Sequence, residues 1–349
     1  MKNRILIYSK SKIDRAGEVL KKPIISKAER DEALEILSNW RAFHAEPLNT
    51  FARILKTRVK KRFGDKNTIV AQRLKRTPSI LLKLQNHKTM RLSAMQDIGG
   101  LRAILESTKD VNSLVHLYRA SKSKHKLAVL HDYVAKPKLN GYRSVHLVYQ
   151  LEQSPSIFIE IQIRSYLQHI WATAVEVFGT LKNSSFKSGH GDKKWLDLFA
   201  HLSSVFALKE GTPVLDAHNE LTGKQILNRI KNMITELKAI EQLHVYTSVY
   251  RITSSETKKN NRSGGYSLVV LDSKENTISF QTFSVGEIDT ATSRYMEMEK
   301  KFYDDPSMNV VLVNTGDVKK LEVSYPNYFM DTKVLVRYLS EIMINEFKL

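Results

Sequence analysis

The stretch that decides the fold is an alternating run, Ile157-Phe158-Ile159-Glu160-Ile161-Gln162-Ile163-Arg164. Successive side chains of a β-strand point to opposite faces, so the isoleucines of this run share one face. Phe158, Glu160, Gln162 and Arg164 share the other face. An acid, an amide and a guanidinium in a row make that face a candidate catalytic surface. If the run stood alone, an ordinary solvent-facing strand surface would be the better explanation.

Further strands are predicted on either side of this run. Residues 101–105 and 144–151 have strand patterns, and residues 152–156 suit a hairpin turn into the alternating run. Helices are predicted from Ser26 until Pro47 interrupts, from Asn49, from the pair Thr77-Pro78, and over 166–178. Strands with helices packed on them predict an α+β fold with a mixed β-sheet flanked by helices.

The second half of the chain has a different residue pattern from the first half. Residues 182–194 are rich in Gly, Ser and Lys and indicate a mobile loop, and two helical segments follow at 195–208 and 221–242. Short β-rich runs begin at Val245, and a last helix is predicted over 332–347. We therefore predict a larger domain at 1–190, a helical connector at 191–244, and a smaller β-rich domain at 245–349.

The amino-acid composition limits the classes of function that this protein can have. The formal net charge of +19 favours a polyanionic partner, nucleic acid first, because clustered Lys and Arg release counterions from phosphates. A solvated basic surface without a partner is the alternative. The absence of cysteine excludes disulfides, thiolate catalysis and cysteine-based zinc sites. No stretch approaches the roughly 20 apolar residues that cross a bilayer, so we expect a soluble cytoplasmic protein without a membrane span.

Two acids frame a predicted metal site. Asp97 stands just before the strand at 101–105, and the paired glycines Gly99 and Gly100 permit close approach of backbone or ligand. If that strand neighbours the alternating run, Asp97 and Glu160 meet across adjacent strands. Two carboxylates together with substrate phosphate oxygens suit Mg²⁺.

Two basic segments stand on either side of Asp97 in the sequence, and both precede Glu160. The first holds Arg73, Lys75, Ser79 and Lys83 around a predicted helix start, where cations and a helix N-terminus suit a polyphosphate, although it is not a Walker loop. The second runs from Lys138 to His146 and contains a turn at Asn140-Gly141. An exposed Tyr142 after that turn could stack on a base, whereas a core-covering Tyr142 would be structural.

These motifs together resemble the RelA/SpoT-type synthetases, which transfer pyrophosphate from ATP to a nucleotide 3′-hydroxyl on a nucleotidyltransferase-like fold. The resemblance covers about residues 34–180 and rests on four ordered motifs, Arg73-x-Lys75-x-x-x-Ser79-x-x-x-Lys83, Asp97 to Arg102, Lys138 to His146 and Glu160-x-Gln162-x-Arg164. It implies that Arg73, Lys75, Ser79 and Lys83 bind ATP, and that Asp97 and Glu160 are catalytic and hold Mg²⁺. It further implies acceptor contacts from Lys138, Asn140, Tyr142, His146, Gln162 and Arg164. Leu139 departs from the proline common in the acceptor loop.

The C-terminal part resembles the CapRel subgroup, which fuses a toxic synthetase domain to a regulatory antitoxin-like domain. In that subgroup the acceptor is the tRNA 3′ end, and a Tyr-x-x-Tyr element blocks the nucleotide pocket until a phage protein releases it. Tyr325 and Tyr328 match this element, although aromatic anchors of a turn are the simpler interpretation. A (p)ppGpp synthetase that uses GDP or GTP, and an RNA-binding protein with a decayed site, remain the alternatives.

Overall fold

In the part of the chain that the structure describes, nine strands form one sheet. The computed structural model describes residues 6–64, 68–154, 156–181, 191–243, 251–252, 265–272, 274–275, 277–302, 305, 307–313 and 333–349. The strand order is β3-β4-β5-β2-β1-β9-β7-β8-β6. The strands are β1 (Ile69–Leu74), β2 (Gly99–Leu105), β3 (Lys126–Asp132), β4 (Val145–Gln150), β5 (Phe158–Ser165), β6 (Arg251–Ile252), β7 (Tyr266–Asp272), β8 (Thr277–Phe283) and β9 (Met308–Val313).

Helices flank the sheet, as the strand and helix patterns predict. They are α1 (Lys10–Lys21), α2 (Lys27–Phe43), α3 (Ala45–Phe63), α4 (Thr77–Asn86), α5 (Thr108–Ala120), α6 (Tyr166–Leu181), α7 (Lys193–Lys209), α8 (Gly223–Leu237), α9 (Ile288–Lys301) and α10 (Lys333–Met343). The mixed α+β class is therefore confirmed. Within the described ranges, no helix is long and apolar enough to cross a membrane.

The alternating run forms β5 at the centre of the first five strands. It pairs parallel to β2 and antiparallel to β4, with Glu160 opposite Gly100 and Gln162 opposite His146. Ile159, Ile161 and Ile163 are fully buried on one face, where residues of α3 and α5 complete the core. The polar face carries Glu160, which the pattern of alternation predicts.

The C-terminal strands continue this sheet. Strands β7, β8 and β9 form a smaller antiparallel unit, and β9 joins β1 through the pair Arg73 and Val313. One apolar core contains residues of both units, whereas α10 packs with α6, α7 and α8 in a second core. The domain limits at 190 and 244 remain predictions.

Several local predictions were incomplete. Pro47 does not interrupt a helix, because it lies in the first turn of α3, where proline is tolerated and its missing N–H would have had no helical partner. Helices α1, α5 and α9 and strands β1 and β3 were not predicted. The predicted mobile loop falls mostly outside the described residues, and its last two residues begin α7.

Candidate active site

Glu160 is the centre of a hydrogen-bonded chain on the polar face. Its Oε1 lies 2.8 Å from Nδ1 of His146, and its Oε2 accepts a hydrogen bond of 2.8 Å from Nε2 of Gln162. The other ring nitrogen of His146 lies 2.8 Å from the Tyr142 hydroxyl. The imidazole therefore bridges the Glu160 carboxylate and the Tyr142 hydroxyl through its two ring nitrogens.

The charge state of Glu160 follows from these contacts. Burial alone would raise the pKa of the Glu160 carboxyl, and the negative charge of Asp97 acts in the same direction. The hydrogen bond and charge of His146, together with the Gln162 amide, outweigh both, so the net pKa lies below its ordinary value. Glu160 is therefore a carboxylate at neutral pH, able to bind a cation or accept a proton.

Asp97 holds two lysines of the predicted ATP cradle. Lys75 Nζ lies 2.8 Å from Oδ2 and Lys83 Nζ lies 2.9 Å from Oδ1. Lys75 follows β1 directly, and Lys83 extends from α4. Burial opposes ionisation of Asp97, but the two ammonium groups outweigh it and lower its pKa to about 2.

Glu160 and the segment that holds Asp97 belong to neighbouring parts of the sheet. Asp97 precedes β2 by two residues, and the register sets Gly100 of β2 between Arg73 of β1 and Glu160 of β5. Asp97 is near enough for its charge to raise the pKa of Glu160. A Cβ built on Gly100 would meet nothing closer than the Arg73 carbonyl oxygen at 3.8 Å. Because Gly100 has no side chain, a gap remains between Arg73 and Glu160 on the polar face.

The N-terminus of α4 does not have the role that the sequence suggested. The backbone N–H of Thr77 donates to the Glu299 carboxylate at 3.2 Å, and the Thr77 hydroxyl donates to the same group at 3.1 Å. Pro78 has no N–H to offer. The expected phosphate site at this helix end already holds a carboxylate from α9, so the cradle consists of side chains rather than the helix dipole.

Tyr142 is a second correction. The sequence allowed an exposed ring that stacks on a base, but only 5% of the side chain is exposed. Its ring packs edge-on against Trp171 of α6, and burial raises the pKa of its hydroxyl to about 12. The half-exposed ring beside it is Tyr133, with Lys138 Nζ 4.5 Å from the ring centre. The sequence motifs did not identify Tyr133, because it precedes the motif that begins at Lys138. Its only sequence signal is an aromatic side chain directly after β3.

The acceptor loop has a defined shape. The Asn140 side chain accepts a hydrogen bond of 3.1 Å from the Tyr142 N–H, and Gly141 has a positive φ of 92° that favours glycine. Ser203 of α7 donates to the Gly141 carbonyl at 2.6 Å and accepts from the Arg143 guanidinium at 3.0 Å. Ser203 was also missed, because no local pattern connects a helical serine to a loop 62 residues earlier.

Arg164 lies beneath the site rather than at its surface. Only 2% of it is exposed, and its guanidinium contacts Nδ1 of His169 at 2.6 Å. Burial, followed by the charge of Arg102, lowers its pKa to about 9. Of the other predicted residues, Ser79 is half exposed on α4, and Tyr325 and Tyr328 lie outside the described residues.

The donor set fits Mg²⁺ as far as the described residues go. No cluster of three or more His, Asp or Glu that could hold a metal occurs among them. A site of two acids would be completed by substrate oxygens. The carboxylate oxygens of Asp97 and Glu160 each take part in one of the lysine, histidine or amide contacts described above. Since a carboxylate has about four lone-pair positions, oxygens remain for a hard cation.

Comparison with known proteins finds relatives of the central part of the chain. Residues 72–184 match the family model described as "Region found in RelA / SpoT proteins". The GTP pyrophosphokinase YjbM of Bacillus subtilis is 34% identical over 111 residues, which are 30% of this chain and 52% of that protein. The probable chloroplastic GTP diphosphokinase RSH3 of Arabidopsis thaliana is 33% identical over 134 residues, 37% of this chain and 17% of that protein.

Among solved structures, small alarmone synthetase 1 from Bacillus subtilis bound to its product pppGpp aligns with a TM-score of 0.42 and 24% identity. The alignment covers 49% of this chain and 93% of that one. The chain spans about half or less of the length of the curated relatives YjbM and RSH3. Residues 72–184, which include both acids, are therefore similar to the region shared by RelA and SpoT proteins.

Proposed function

We propose that this protein transfers pyrophosphate from ATP to a ribose 3′-hydroxyl. The observation that carries the proposal is the pair of ionised acids, Asp97 and Glu160, on one polar face beside Lys75 and Lys83. The names of the matched relatives support the same reaction, since YjbM is a GTP pyrophosphokinase. The reaction would take place in the cytoplasm, where ATP is abundant.

In this reaction the acceptor hydroxyl oxygen bonds to the β-phosphorus of ATP. The bond between that phosphorus and the oxygen bridging to the α-phosphate breaks, and AMP leaves with the electron pair. Glu160 accepts the hydroxyl proton or orients the hydroxyl, and the chain through His146 and Tyr142 holds the Glu160 carboxylate in place. Arg73, Lys75, Ser79 and Lys83 bind the ATP phosphates. Mg²⁺ held by Asp97 and Glu160 would neutralise phosphate charge.

For the acceptor, we propose the 3′ end of tRNA. Arg58 of α3 donates a hydrogen bond of 2.7 Å to Ser121 after α5, which brings the basic end of α3 beside the basic segment 122–126. We call these two segments the basic surface; its cations are Lys56, Arg58, Lys60, Lys61, Arg62, Lys122, Lys124 and Lys126. An extended positive surface suits an RNA helix, whereas a free nucleotide needs only a pocket.

The basic surface belongs to the helices on the apolar face of the sheet and to one edge of the sheet. Helices α3 and α5 cover the apolar face of the sheet, and Lys126 begins β3, the edge strand. RNA bound there would extend around the β3 edge and bring its single-stranded end to the polar face. Lys138, Asn140, Tyr142, His146, Gln162 and Arg164 would then contact or support the terminal nucleotide, and the half-exposed Tyr133 would offer the stacking surface.

The second candidate is a (p)ppGpp synthetase that uses GDP or GTP. The specific observation in its favour is that the curated relatives YjbM and RSH3 are named for GTP as substrate. In that case the C-terminal part would act as a regulator or an oligomer contact. The same acids and ATP cradle would serve both acceptors.

One experiment separates the two candidates. The protein is incubated with Mg²⁺ and ATP labelled at its γ-phosphate, together with tRNA, GDP or GTP in separate reactions. Label passing to tRNA that still ends in an intact 3′-hydroxyl, and not to tRNA oxidised with periodate, supports the first candidate. Label passing only to GDP or GTP supports the second. No transfer to any acceptor, by the unaltered chain or by the variant Tyr325→Ala with Tyr328→Ala, contradicts both.

We further propose that the protein is an autoinhibited toxin and antitoxin fusion that blocks translation in phage defence. The support is the resemblance of Tyr325-x-x-Tyr328 to the CapRel element. A phage protein that binds the C-terminal part would release the inhibition.

A further inference from the structure

A buried cluster of polar side chains connects α9 to the ATP cradle. Arg41 of α2 is completely buried, and its guanidinium forms an ion pair with Glu299. Tyr295, one turn before Glu299 on α9, contacts both charged groups through its hydroxyl, at 2.6 Å to Arg41 and 2.9 Å to Glu299. These three residues lie outside the matched segment 72–184.

The cluster binds the backbone of the cradle turn. Arg41 Nε donates to the Lys75 carbonyl at 2.9 Å, and Glu299 accepts from the Thr77 N–H at 3.2 Å. The side chain of Arg76, at the N-cap position of α4, forms no capping hydrogen bond. Glu299 therefore supplies from α9 the cap that α4 lacks locally, and its negative charge is favourable at a helix N-terminus.

This arrangement controls where two ATP-binding groups lie. Lys75 is bound through its carbonyl by Arg41 and through its N–H by the Ile98 carbonyl at 2.8 Å. Lys83 extends from α4, whose first turn is fixed by Glu299. A shift of that turn would move both ammonium groups relative to Asp97, and about 1 Å of displacement in a positioning group is costly.

We propose that Glu299, Tyr295 and Arg41 are positioning residues for the ATP phosphates, through which α9 of the C-terminal unit controls the affinity for ATP. The inference rests on the proposed function, since it requires that Lys75 and Lys83 bind ATP. The three side chains do not touch substrate. They determine the donor side of the site and leave the acceptor side unchanged.

The test uses two variants and a matched control in the full chain. Glu299→Gln removes the charge that pairs with Arg41 and caps α4. Tyr295→Phe keeps the ring and the ion pair but removes the hydroxyl. Glu297→Gln is the control, because Glu297 lies on the same helix with 64% of its side chain exposed and pairs with Arg294 on the surface. The probe is a nonhydrolysable α,β-methylene ATP with Mg²⁺, measured by titration calorimetry.

We expect Glu299→Gln to weaken binding of the analogue about five- to hundredfold, the usual range of coupling between sites. Tyr295→Phe should weaken it less, about two- to tenfold, because it removes both hydrogen bonds of the hydroxyl but keeps the ion pair. The KM for the acceptor should stay within about twofold in both variants, which a general loss of structure would not produce. Faster amide hydrogen exchange over 75–80 in both variants would show that the cradle turn has loosened.

The outcomes separate the two proposals. If neither the unaltered chain nor its Tyr325→Ala, Tyr328→Ala variant, which lacks the proposed block, binds the analogue, the proposed function and this inference both fail. If the unaltered chain binds it and both variants retain its affinity, only the inference is overturned. Tighter binding in Glu299→Gln would also overturn it, because Glu299 would then compete with phosphate for the α4 N-terminus. Should Glu299→Gln not fold, Tyr295→Phe decides alone, since it leaves the buried charges paired.

Discussion

The imidazole of His146 joins the Glu160 carboxylate to the Tyr142 hydroxyl, with 2.8 Å on each side of the ring. His146 lies on β4 and Glu160 on the neighbouring strand β5, so the sheet itself sets their separation. Tyr142 is packed against α6, which immobilises the far end of the chain. The carboxylate is thus held in one orientation before any substrate binds.

Replacement of Glu160 should remove turnover without unfolding the protein. We expect Glu160→Gln to lower kcat by about 10²–10⁴, the usual range for loss of a positioned proton acceptor. Tyr142→Phe should lower it by less, about tenfold, because the ring remains. Glu152→Gln, an exposed acid in the turn after β4, is the control and should keep full activity. Equal activity of Glu160→Gln and the control would contradict the assignment.

The two neighbouring glycines of β2 should separate stability from activity. Gly100→Val places a side chain in the gap between Arg73 and Glu160, where the nearest atom to a new Cβ is 3.8 Å away. We expect its Tm to be unchanged or raised, since glycine weakens a strand by about 0.5–1 kcal/mol, while kcat/KM falls at least about tenfold.

The control for this prediction is Gly99→Ala on the other face of β2. There a Cβ would lie 2.8 Å from the Ile159 side chain, so we expect a lower Tm instead. Thermal unfolding and turnover measured on both variants check the prediction. A Gly100→Val protein with full activity would show that substrate does not occupy this gap.

Lowering the pH should reduce the free energy of unfolding, because Asp97 becomes protonated. The pKa of Asp97 falls from 3.8 to about 2 on folding, so its contribution is fully present above about pH 4 and is lost as the pH falls towards 2. That contribution is about 2 kcal/mol. Urea unfolding between about pH 6 and pH 2.5 should show a difference between the unaltered chain and Asp97→Asn that shrinks with acid. A difference independent of pH would mean that the ion pairs with Lys75 and Lys83 contribute nothing.

The basic surface should govern RNA affinity. We expect the double change Lys60→Glu and Lys61→Glu to weaken tRNA binding and to reduce the slope of log K against log salt, by roughly one for each phosphate that is no longer neutralised. Turnover with GDP should not change. The control is Lys300→Glu with Lys301→Glu, an exposed lysine pair at the end of α9. Equal effects of the two pairs would indicate only a response to net charge.

The tyrosine pair tests autoinhibition. Tyr325→Ala with Tyr328→Ala should raise basal pyrophosphate transfer, because the proposed block of the nucleotide pocket is removed. Changing both residues to Phe keeps the rings and should raise activity less. Unchanged activity in an alanine variant with an unchanged Tm would assign both residues to a structural role in their turn.

The sequence by itself determined the central strand and the chemistry of its open face. Alternation over 157–164 is a property of one strand, so the burial of Ile161 and the position of Glu160 on the polar face could be predicted locally. The order of strands β4, β5 and β2 then brings His146 and Asp97 to Glu160. The residue pattern within each strand was sufficient for this prediction because the neighbouring strands in this region pair in register.

Only the tertiary structure decided which groups are available to a ligand. Tyr142 has the same local sequence whether exposed or covered, and packing against Trp171 covers it. Glu299 lies 222 residues from the Thr77 N–H that it binds, and no periodicity connects the two. Burial and long-range capping depend on which surfaces meet, and that is a property of the whole chain rather than of any segment.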